Sequence, residues 1–384
     1  MKKFTKKTVY GVTCFAAFAM ATVFYSTAAH AEPGLKDNQI TIGQTIGLQG
    51  GKDAFAVAVN EGAKLYFDSV NATGGVMGRK IVVKSLDDEG KAATAEANAR
   101  KLADEGVFLL FGSIGGGPSG AVMKVANEKQ IPLFGPLAGS PLMRRPHQPM
   151  VFPVRAEHRE EFRVMLKSAK DMGLTNVAFM HGDTEVGKMH LENVKIAAKD
   201  FGQQVVLPIP IKPDTTDAQI DEAVAAMEKA KVNVLLHNVS GKVFAKLVQK
   251  AKAKGMTTTF MGVNQESFEI AKMLGKDAQG IVFAQVVPSP WQRKIELARE
   301  YQDAANKAKL ELSYGSLEGY MTAKALVMAL RANGKALTRA SLVKTLASNT
   351  FDLGGVFIKY PTGDHEGSKF VDLSLRSREG IFIH

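Results

Sequence analysis

Cysteine is nearly absent from this sequence, and the only one, Cys14, lies within the first 31 of its 384 residues. This segment has four lysines before an apolar run that ends near Ala29-His30-Ala31, which is the pattern of a secretory signal peptide. Cleavage after Ala31 would remove the cysteine, so the mature chain could form no disulfide and could use no thiolate as nucleophile or zinc ligand. We therefore expect a protein that is exported to the periplasm.

Long apolar runs are also absent after this leader. None approaches the roughly 20 apolar residues needed to cross a bilayer, so we expect a soluble mature protein that is not embedded in a membrane. The charge is not one-sided, with 49 Lys and Arg against 38 Asp and Glu. The densest basic stretch, Lys242 to Lys254, has the spacing of one amphipathic helix, so nucleic acid is not an expected partner. We expect a monomer.

Residue clusters typical of catalysis are missing as well. The histidines are scattered and form no HxxxH or HExxH spacing, so no metal site is predicted. No serine lies in a GxSxG elbow, and Asp183 or Glu185 alone would not form an acid–base pair. His181 and His237 each end a predicted strand, where a histidine is ordinarily a hydrogen-bonded loop residue. We expect no cofactor and no enzymatic activity.

Short β-branched runs alternate with longer helical patterns from Ile40 onward. The first series contains the strands ITIGQTI, IVVKSL, VFLLFG and IPLF, and the second contains VAFM, VVLPI, VNVLL and TTTFMG. This rhythm is typical of βαβ units with parallel strands. The predicted fold class is therefore α/β, with two Rossmann-like lobes, each a parallel sheet flanked by helices.

A proline-rich segment, Pro136 to Pro153, separates the two series of strands. Its prolines do not allow a helix. After Gly280 come a strand, two long helices and a β-rich tail, so the chain should return to the first lobe and cross between the lobes several times. Several crossings make a hinge. The predicted boundaries are a signal peptide over 1–31, a first lobe over 35–153 plus 286–353, and a second lobe over 154–285 plus 354–384.

Two glycine-rich segments imitate nucleotide-binding motifs. Gly115 to Gly120 fits GxGxxG, but it follows the third strand and no ribose-binding acid ends the next one. The segment from Gly182 fits a phosphate-binding loop until Met189, which replaces the Ser or Thr that would hold magnesium. What remains at Gly115 to Gly117 is close backbone approach and free N–H groups at a helix start, which attract a carboxylate or another acceptor. A simple tight turn is the alternative.

Several segments together carry a family resemblance that covers essentially the whole mature chain. They are ITIGQTIGLQGG, VNATGGVMGRKIVV, FGSIGGGPSGA, IPLFGPLAGSPLM, VFPVRAEHREE, HGDTEVGK, FMGVNQES and YGSLEGYMTAKALVMAL. In these segments the chain resembles the type-1 periplasmic binding proteins of the leucine, isoleucine and valine-binding family. The resemblance implies two lobes that are joined by three hinge strands and close over a small molecule.

The resemblance also implies which residues line the cleft. In the first lobe Gln49 and Phe55 belong to the first strand–helix loop, with Phe55 as an aromatic wall, and the third and fourth loops would face the ligand. In the second lobe the loop with Asp183 and two later loops would form the opposite wall. The implied ligand-binding residues are Gln49, Phe55, Gly115, Gly116, Gly117, Ser119, Ala138, Gly139, Asp183, Val186, Ser240 and Asn264.

This sequence departs from the amino-acid binders of the family at the positions that hold the ligand. The serine, threonine, two tyrosines and glutamate that those proteins use are replaced here by Gly116, Gly139, Val186, Ser240 and Asn264. An uncharged Asn264 cannot form the charge-assisted hydrogen bond that a buried ammonium group needs. We therefore expect a larger ligand, or one with an uncharged head, such as an organic acid or an amide.

Purely structural roles are the alternative for several residues. Phe55 could belong to the core of the first helix, and Trp291 could pack at a lobe edge. Arg155 and Glu157 are expected to tie the hinge and not to touch the ligand.

The function predicted from these features is that of an extracytoplasmic solute-binding protein. It would capture a small polar, organic-acid or amino-acid-like molecule and deliver it to the membrane permease subunits of an ABC importer. The alternative is a ligand-sensing periplasmic protein of the same fold that signals to a membrane receptor.

Overall fold

The first lobe is built on a sheet with five parallel strands in the order β3 (Lys80–Asp87), β2 (Gln39–Ile46), β4 (Leu110–Phe111), β5 (Leu133–Phe134) and β6 (Val151–Phe152). A computed structural model describes residues 1, 32–263, 267–378 and 381–383. Strand β1 (Leu35–Lys36) pairs with β2 in the antiparallel sense. The first helices are α1 Ala54–Ala72, α2 Ala92–Asp104 and α3 Gly116–Lys129.

The second lobe repeats this arrangement after the chain leaves β6. Its parallel strands lie in the order β11 (Val282–Gln285), β10 (Thr259–Gly262), β9 (Val234–His237), β7 (Asn176–Gly182) and β8 (Gln204–Ile211). The helices are α4 His158–Asp171, α5 Glu185–Asp200, α6 Asp217–Lys229, α7 Gly241–Ala253 and α8 Ser267–Leu274.

The C-terminal third of the chain returns to the first lobe and then ends in the second. Its helices are α9 Glu296–Ala308, α10 Tyr314–Asn333 and α11 Arg339–Ser348. A small antiparallel sheet follows, made of β12 Thr350–Asp352, β13 Phe357–Lys359 and β14 Gly367–Ser368. Strands β15 Asp372–Arg376 and β16 Phe382–Ile383 then extend the second sheet in the antiparallel sense. The predicted α/β class with two sheets is confirmed.

Each sheet is covered by apolar side chains on both faces. In the first lobe one face packs on α1 and α10 through residues such as Ile42 and Phe67, and the other packs on α2 and α3 through residues such as Leu102 and Val122. The second lobe has an equivalent pair of clusters. Burial on both faces is what parallel sheets require, and it explains why an inner strand such as β9 is buried at every position.

Helices α1 and α10 pack unusually closely, and glycine makes this possible. A Cβ atom at Gly62 would lie 1.8 Å from the carbonyl oxygen of Ser316, and one at Gly319 would lie 1.9 Å from that of Val59. No side chain fits in such a space, so these two positions need glycine for steric reasons. The contact fixes the start of α10 beside the start of α1.

Three chain segments connect the lobes, and they mark the hinge. The first, residues 153–157, links β6 to α4; the second, residues 286–290, links β11 to α9; the third, residues 368–371, links β14 to β15. The first and third are paired, because the N–H of Ser368 donates to the carbonyl oxygen of Val154 at 2.9 Å.

The last boundary predicted from the sequence differs from the packing. It places 354–384 in the second lobe, whereas Val356, Ile358 and Tyr360 pack in the core of the first lobe. Val371 and Leu373 are the first residues that pack on the second lobe again. We therefore propose that the final crossing lies near Phe370, since a β-rich tail by its pattern alone does not reveal which sheet it joins.

Within residues 32–263, 267–378 and 381–383, no helix is long and apolar enough to span a membrane.

Candidate functional site: the cleft between the lobes

The carboxyl ends of both parallel sheets point toward the junction of the lobes. Strand β6 runs directly into the first crossing, and β11 runs directly into the second. Across the junction, α5 of the second lobe packs against the turn Pro141–Met143 of the first. Ligands of open α/β sheets settle at the carboxyl ends of the strands, so the loops at these ends form the candidate site.

The loop after β4 presents an open helix start to this junction. Gly115, the N-cap of α3, has a φ of 84°, and no side chain caps the helix. A Cβ atom at Gly116 would meet nothing within 4 Å, and one at Gly117 would meet only Ala92 at 3.9 Å. Among the described residues, the N–H groups of Gly116 and Gly117 form no hydrogen bond. They are therefore available to an acceptor atom of a ligand.

Two other predicted contacts from the first lobe, Ser119 and Ala138, lie behind this surface. Ser119 is fully buried, and its hydroxyl oxygen accepts a hydrogen bond from the hydroxyl of Ser113 at 2.9 Å. Ala138 packs in the core beneath α2 and α3. Since neither side chain faces open space, we propose that they support the loops and do not reach a ligand with their side chains.

Gly139 lies against a histidine of the second lobe. A Cβ atom at Gly139 would be 2.4 Å from Nδ1 of His158. The N–H of His158 donates to the carbonyl oxygen of Gly139 at 3.0 Å. The threonine of the amino-acid binders would not fit here, so Gly139 joins the lobes instead of binding a ligand with a side chain.

The β2–α1 loop forms the rim of the first lobe. Gln49 is exposed, and the N–H groups of Gln49 and Gly50 donate to the carboxylate of Asp87 at 3.2 and 2.8 Å. These bonds, chiefly that from Gly50, hold the pKa of Asp87 below its usual range. Phe55 is half-buried, and its ring lies 3.3 Å from where a Cβ atom of Gly315 would be. Phe55 therefore packs partly on α10, as its structural alternative predicts, with the rest of the ring accessible.

The wall of the second lobe begins with the β7–α5 loop. Asp183 is exposed, and its carboxylate lies 3.7 Å from Nζ of Lys212. The hydroxyl of Thr184 caps α5 by accepting a hydrogen bond from the N–H of Gly187 at 3.0 Å. Val186 is half-buried in the first turn of this helix. A capped helix start has fewer free donors than the start of α3, so this loop offers shape more than hydrogen bonds.

The loop after β9 is open again. Ser240 is exposed at the N-cap of α7, and its side chain forms no capping bond. The remaining predicted contact, Asn264, lies outside the described residues.

Neutral histidines, which the sequence did not single out as a group, lie beneath this second wall. Burial lowers the pKa of both His190 and His237 to about 3. Nδ1 of His237 accepts a hydrogen bond from the N–H of Val239 at 3.4 Å, and the ring stacks on Phe244 at 3.6 Å. His158 and His181 lie nearby and further lower the pKa of His190 by their charge when protonated. Within the described part of the chain, no three His, Cys, Asp or Glu side chains are placed to hold a metal ion.

Arg155 and Glu157 lie at the first crossing, as predicted. Glu157 is buried and pairs with Arg145 and Arg159. Arg155 is 1% exposed and lies between carboxylates of the two lobes. Neither is aimed at an open surface, so both act on the hinge.

Comparison with known proteins agrees with this architecture. The sequence profile of the family described as periplasmic binding protein matches residues 39–371. Leu/Ile/Val-binding protein homolog 3 of Brucella melitensis biotype 1 is 26% identical over 275 residues, which cover 70% of this chain and 70% of that protein.

Solved structures resemble it over nearly the whole chain. A substrate-binding periplasmic protein from Ralstonia solanacearum has a TM-score of 0.78 and 26% identity, and the alignment covers 90% of this chain and 99% of that one. A fatty acid ABC transporter substrate-binding protein from Thermomonospora curvata has a TM-score of 0.79 at 21% identity, covering 92% and 93%, and shows the fold alone. With two sheets joined by three crossings and a profile match over most of its length, the chain belongs to the periplasmic binding protein family.

Proposed function

We propose that this protein is the extracytoplasmic solute-binding component of an ABC importer and that it binds a small organic acid or amide between its lobes. Closure of the lobes around the solute would create the form that the membrane permease recognises. The name of one relative, a Leu/Ile/Val-binding protein homolog, supports transport of a solute with a carboxylate group.

One observation carries this proposal: the free N–H groups at the start of α3. Gly116 and Gly117 place bare donors and the positive end of a helix dipole at the junction of the lobes, with open space in front of Gly116. This arrangement suits a carboxylate or an amide oxygen. The same lobe offers a partly accessible Phe55 ring for the body of the solute.

The opposite wall supports a solute without a free ammonium group. Ser240 and Val186 provide a hydroxyl and an aliphatic side chain, and the nearby histidines are neutral because burial lowers their pKa. An ammonium group would need a buried carboxylate as its partner. Loss of that carboxylate costs on the order of 2 to 5 kcal/mol of binding free energy. The exposed carboxylate of Asp183 is already near Lys212 and is solvated.

We further propose that binding occurs without chemical change. The solute should be recovered unchanged after prolonged incubation with the protein, at one molecule per chain. Multiple turnovers of a product would contradict this.

Native mass spectrometry of protein that starts at Glu32, purified without dialysis, tests the proposal. We expect a retained organic acid or amide in the wild type. Gly116→Val should lose it, because a side chain would crowd the approach to the free N–H groups and cost a few kcal/mol.

Gly120→Val is the matched control. Gly120 lies one helical turn further along α3, and a Cβ atom there also meets nothing within 4 Å. Both variants should fold alike, but only Gly120→Val should retain the solute. Equal retention by the two folded variants would show that the glycines form only a turn.

A further inference from the structure

Helix α10 is buried almost throughout and has two packing faces. One face carries Gly315 and Gly319 and packs on α1. The other carries Tyr314, Glu318 and Thr322, which are spaced by four residues and therefore form one row along the helix. Glu318 and Tyr314 contact residues in or just after the crossings, and Thr322 contacts Gly135, which faces the first crossing.

Glu318 reaches the first crossing through a buried ion pair. Its carboxylate lies 3.5 Å from Nη1 of Arg155, while Nη2 of Arg155 lies 3.3 Å from the carboxylate of Glu161 on α4. All three side chains are at most 1% exposed. Arg155 therefore holds one carboxylate from each lobe.

This pair continues to the wall of the cleft. Nδ1 of His158 donates to the same carboxylate oxygen of Glu161 at 2.8 Å. The backbone of His158 in turn holds the Gly139 loop, as described above. A continuous row of buried polar contacts thus runs from the Gly139 loop to α10.

Tyr314 reaches the second crossing and strand β15, which follows the third. Its hydroxyl is hydrogen-bonded to the side chains of Ser289, in the second crossing, and Ser374, just beyond the third. Ser374 also accepts a hydrogen bond from Nε2 of Gln285, the last residue of β11, at 2.9 Å. The ring packs at right angles to the ring of Trp291 at 5.3 Å.

Thr322 completes the row at the base of the first crossing. Its Cγ2 atom occupies the position in front of Gly135, where a Cβ atom would be 2.2 Å away. Gly135 has a φ of 65° and also faces Val154 of the first crossing. Close approach of α10 to the hinge therefore depends on this glycine.

We propose that Tyr314 and Glu318 are positioning residues that set the relative orientation of the two lobes, with α10 as the fixed support of the first two crossings and of β15, which follows the third. Neither residue lies in the glycine loop that we assign to the solute. Their effect on binding rests on the clamp function proposed above, but their effect on lobe orientation does not. Buried charges that are paired across lobes favour one arrangement because any other would leave a charge unpaired.

Lobe orientation can be measured without a solute. Protein that starts at Glu32 contains no cysteine, so Lys101→Cys on α2 and Glu222→Cys on α6 allow specific spin labelling at two exposed sites, one in each lobe. We expect a narrow distance distribution in the wild type. In Glu318→Gln the distance distribution should broaden and show a second population with a different lobe orientation. The ratio of the two orientations should differ about tenfold from that in the wild type, as expected for one lost charge-assisted contact.

Glu300→Gln is the matched charge control, because Glu300 on α9 pairs with Lys324 on α10, so this ion pair lies within the first lobe. It should leave the distance distribution unchanged even if it lowers the melting temperature. If Glu318→Gln does not fold, Tyr314→Phe provides the test, with Tyr360→Phe as control. The Tyr360 hydroxyl is buried without a hydrogen-bond partner among the described residues.

A folded Glu318→Gln or Tyr314→Phe protein with the wild-type distance distribution would overturn the proposal. Broadening in Glu300→Gln or Tyr360→Phe would also overturn it, because lobe orientation would then follow general stability. Solute retention, measured separately by native mass spectrometry, would remain as evidence on the function itself.

Discussion

The two lobes share one architecture but present different chemistry at the ends of their strands. In the first lobe the surface is glycine and free backbone N–H, with Ser113 and Ser119 bonded to each other underneath. In the second lobe α5 and α6 begin with capping threonines, and the layer underneath contains neutral histidines. Backbone donors do not titrate, whereas imidazoles do. The stability of the first wall should therefore be insensitive to mild acid, whereas the stability of the second wall should depend on pH.

The largest effect is expected from the close glycine contacts of the first lobe. Gly62→Ala should lower the free energy of unfolding by about 3 kcal/mol, because its Cβ atom would lie 1.8 Å from the carbonyl oxygen of Ser316. Gly120→Ala, where the added atom meets nothing within 4 Å, is the control and should be neutral or slightly stabilising. Urea denaturation followed by circular dichroism measures both. Equal stability of the two variants would show that α1 and α10 can separate without cost.

Acid should destabilise the second lobe through His190 and His237. Both have a folded-state pKa of about 3, below the ordinary value of 6.5. Their contribution to stability is therefore complete above pH 6.5 and is lost as the pH falls toward 3. Between pH 6.5 and 5 the loss should be about 2 kcal/mol for each histidine.

Urea denaturation at both pH values, on wild type and on His190→Gln, checks this prediction. The variant should lose part of the pH dependence, because it removes one imidazole whose pKa burial lowers. Hydrogen exchange should place the loss in α5 and α7. A pH dependence that is unchanged in His190→Gln would contradict the assignment.

The smallest effect should distinguish capped from uncapped helix starts. The side chain of Thr216 forms a capping box with Gln219, so Thr216→Ala should cost about 1 kcal/mol of stability. Ser240 forms no capping bond, so Ser240→Ala should leave the melting temperature unchanged. If Ser240 contacts the solute, as the resemblance implies, only that variant should weaken solute binding. Loss of stability without loss of binding in Ser240→Ala would remove it from the site.

The sequence predicts the fold well because the features that determine it are local. The β-branched strands, the glycine and proline breaks and the long helices are all visible in the amino-acid sequence. Two helices, α4 and α8, are not indicated by the strand runs; α4 has Phe162, Met165, Leu166 and Ala169 on one face, a helical spacing that the sequence does show. The C-terminal ribbon is only partly predictable, because β15 and β16 do join the second sheet while Val356, Ile358 and Tyr360 pack in the first core, and strand pairing over long distances leaves no local signal.

The site is less predictable from sequence, for a different reason. Alignment with a family places residues along the chain but does not reveal which way a side chain points. Gly115 to Gly117 and Ser240 do lie at open helix starts, whereas Ser119 and Ala138 are buried. The row Tyr314, Glu318 and Thr322 was hidden because its partners come from three distant segments.

Calorimetry most directly tests whether the first lobe binds an acid or amide oxygen while the second lacks a partner for ammonium. Protein that starts at Glu32 would be titrated with leucine, isoleucine and valine, and with carboxylic acids and amides of matched size. We predict micromolar binding of at least one acid or amide and no useful binding of the free amino acids. Low-micromolar binding of any of the three amino acids would contradict this account of the cleft.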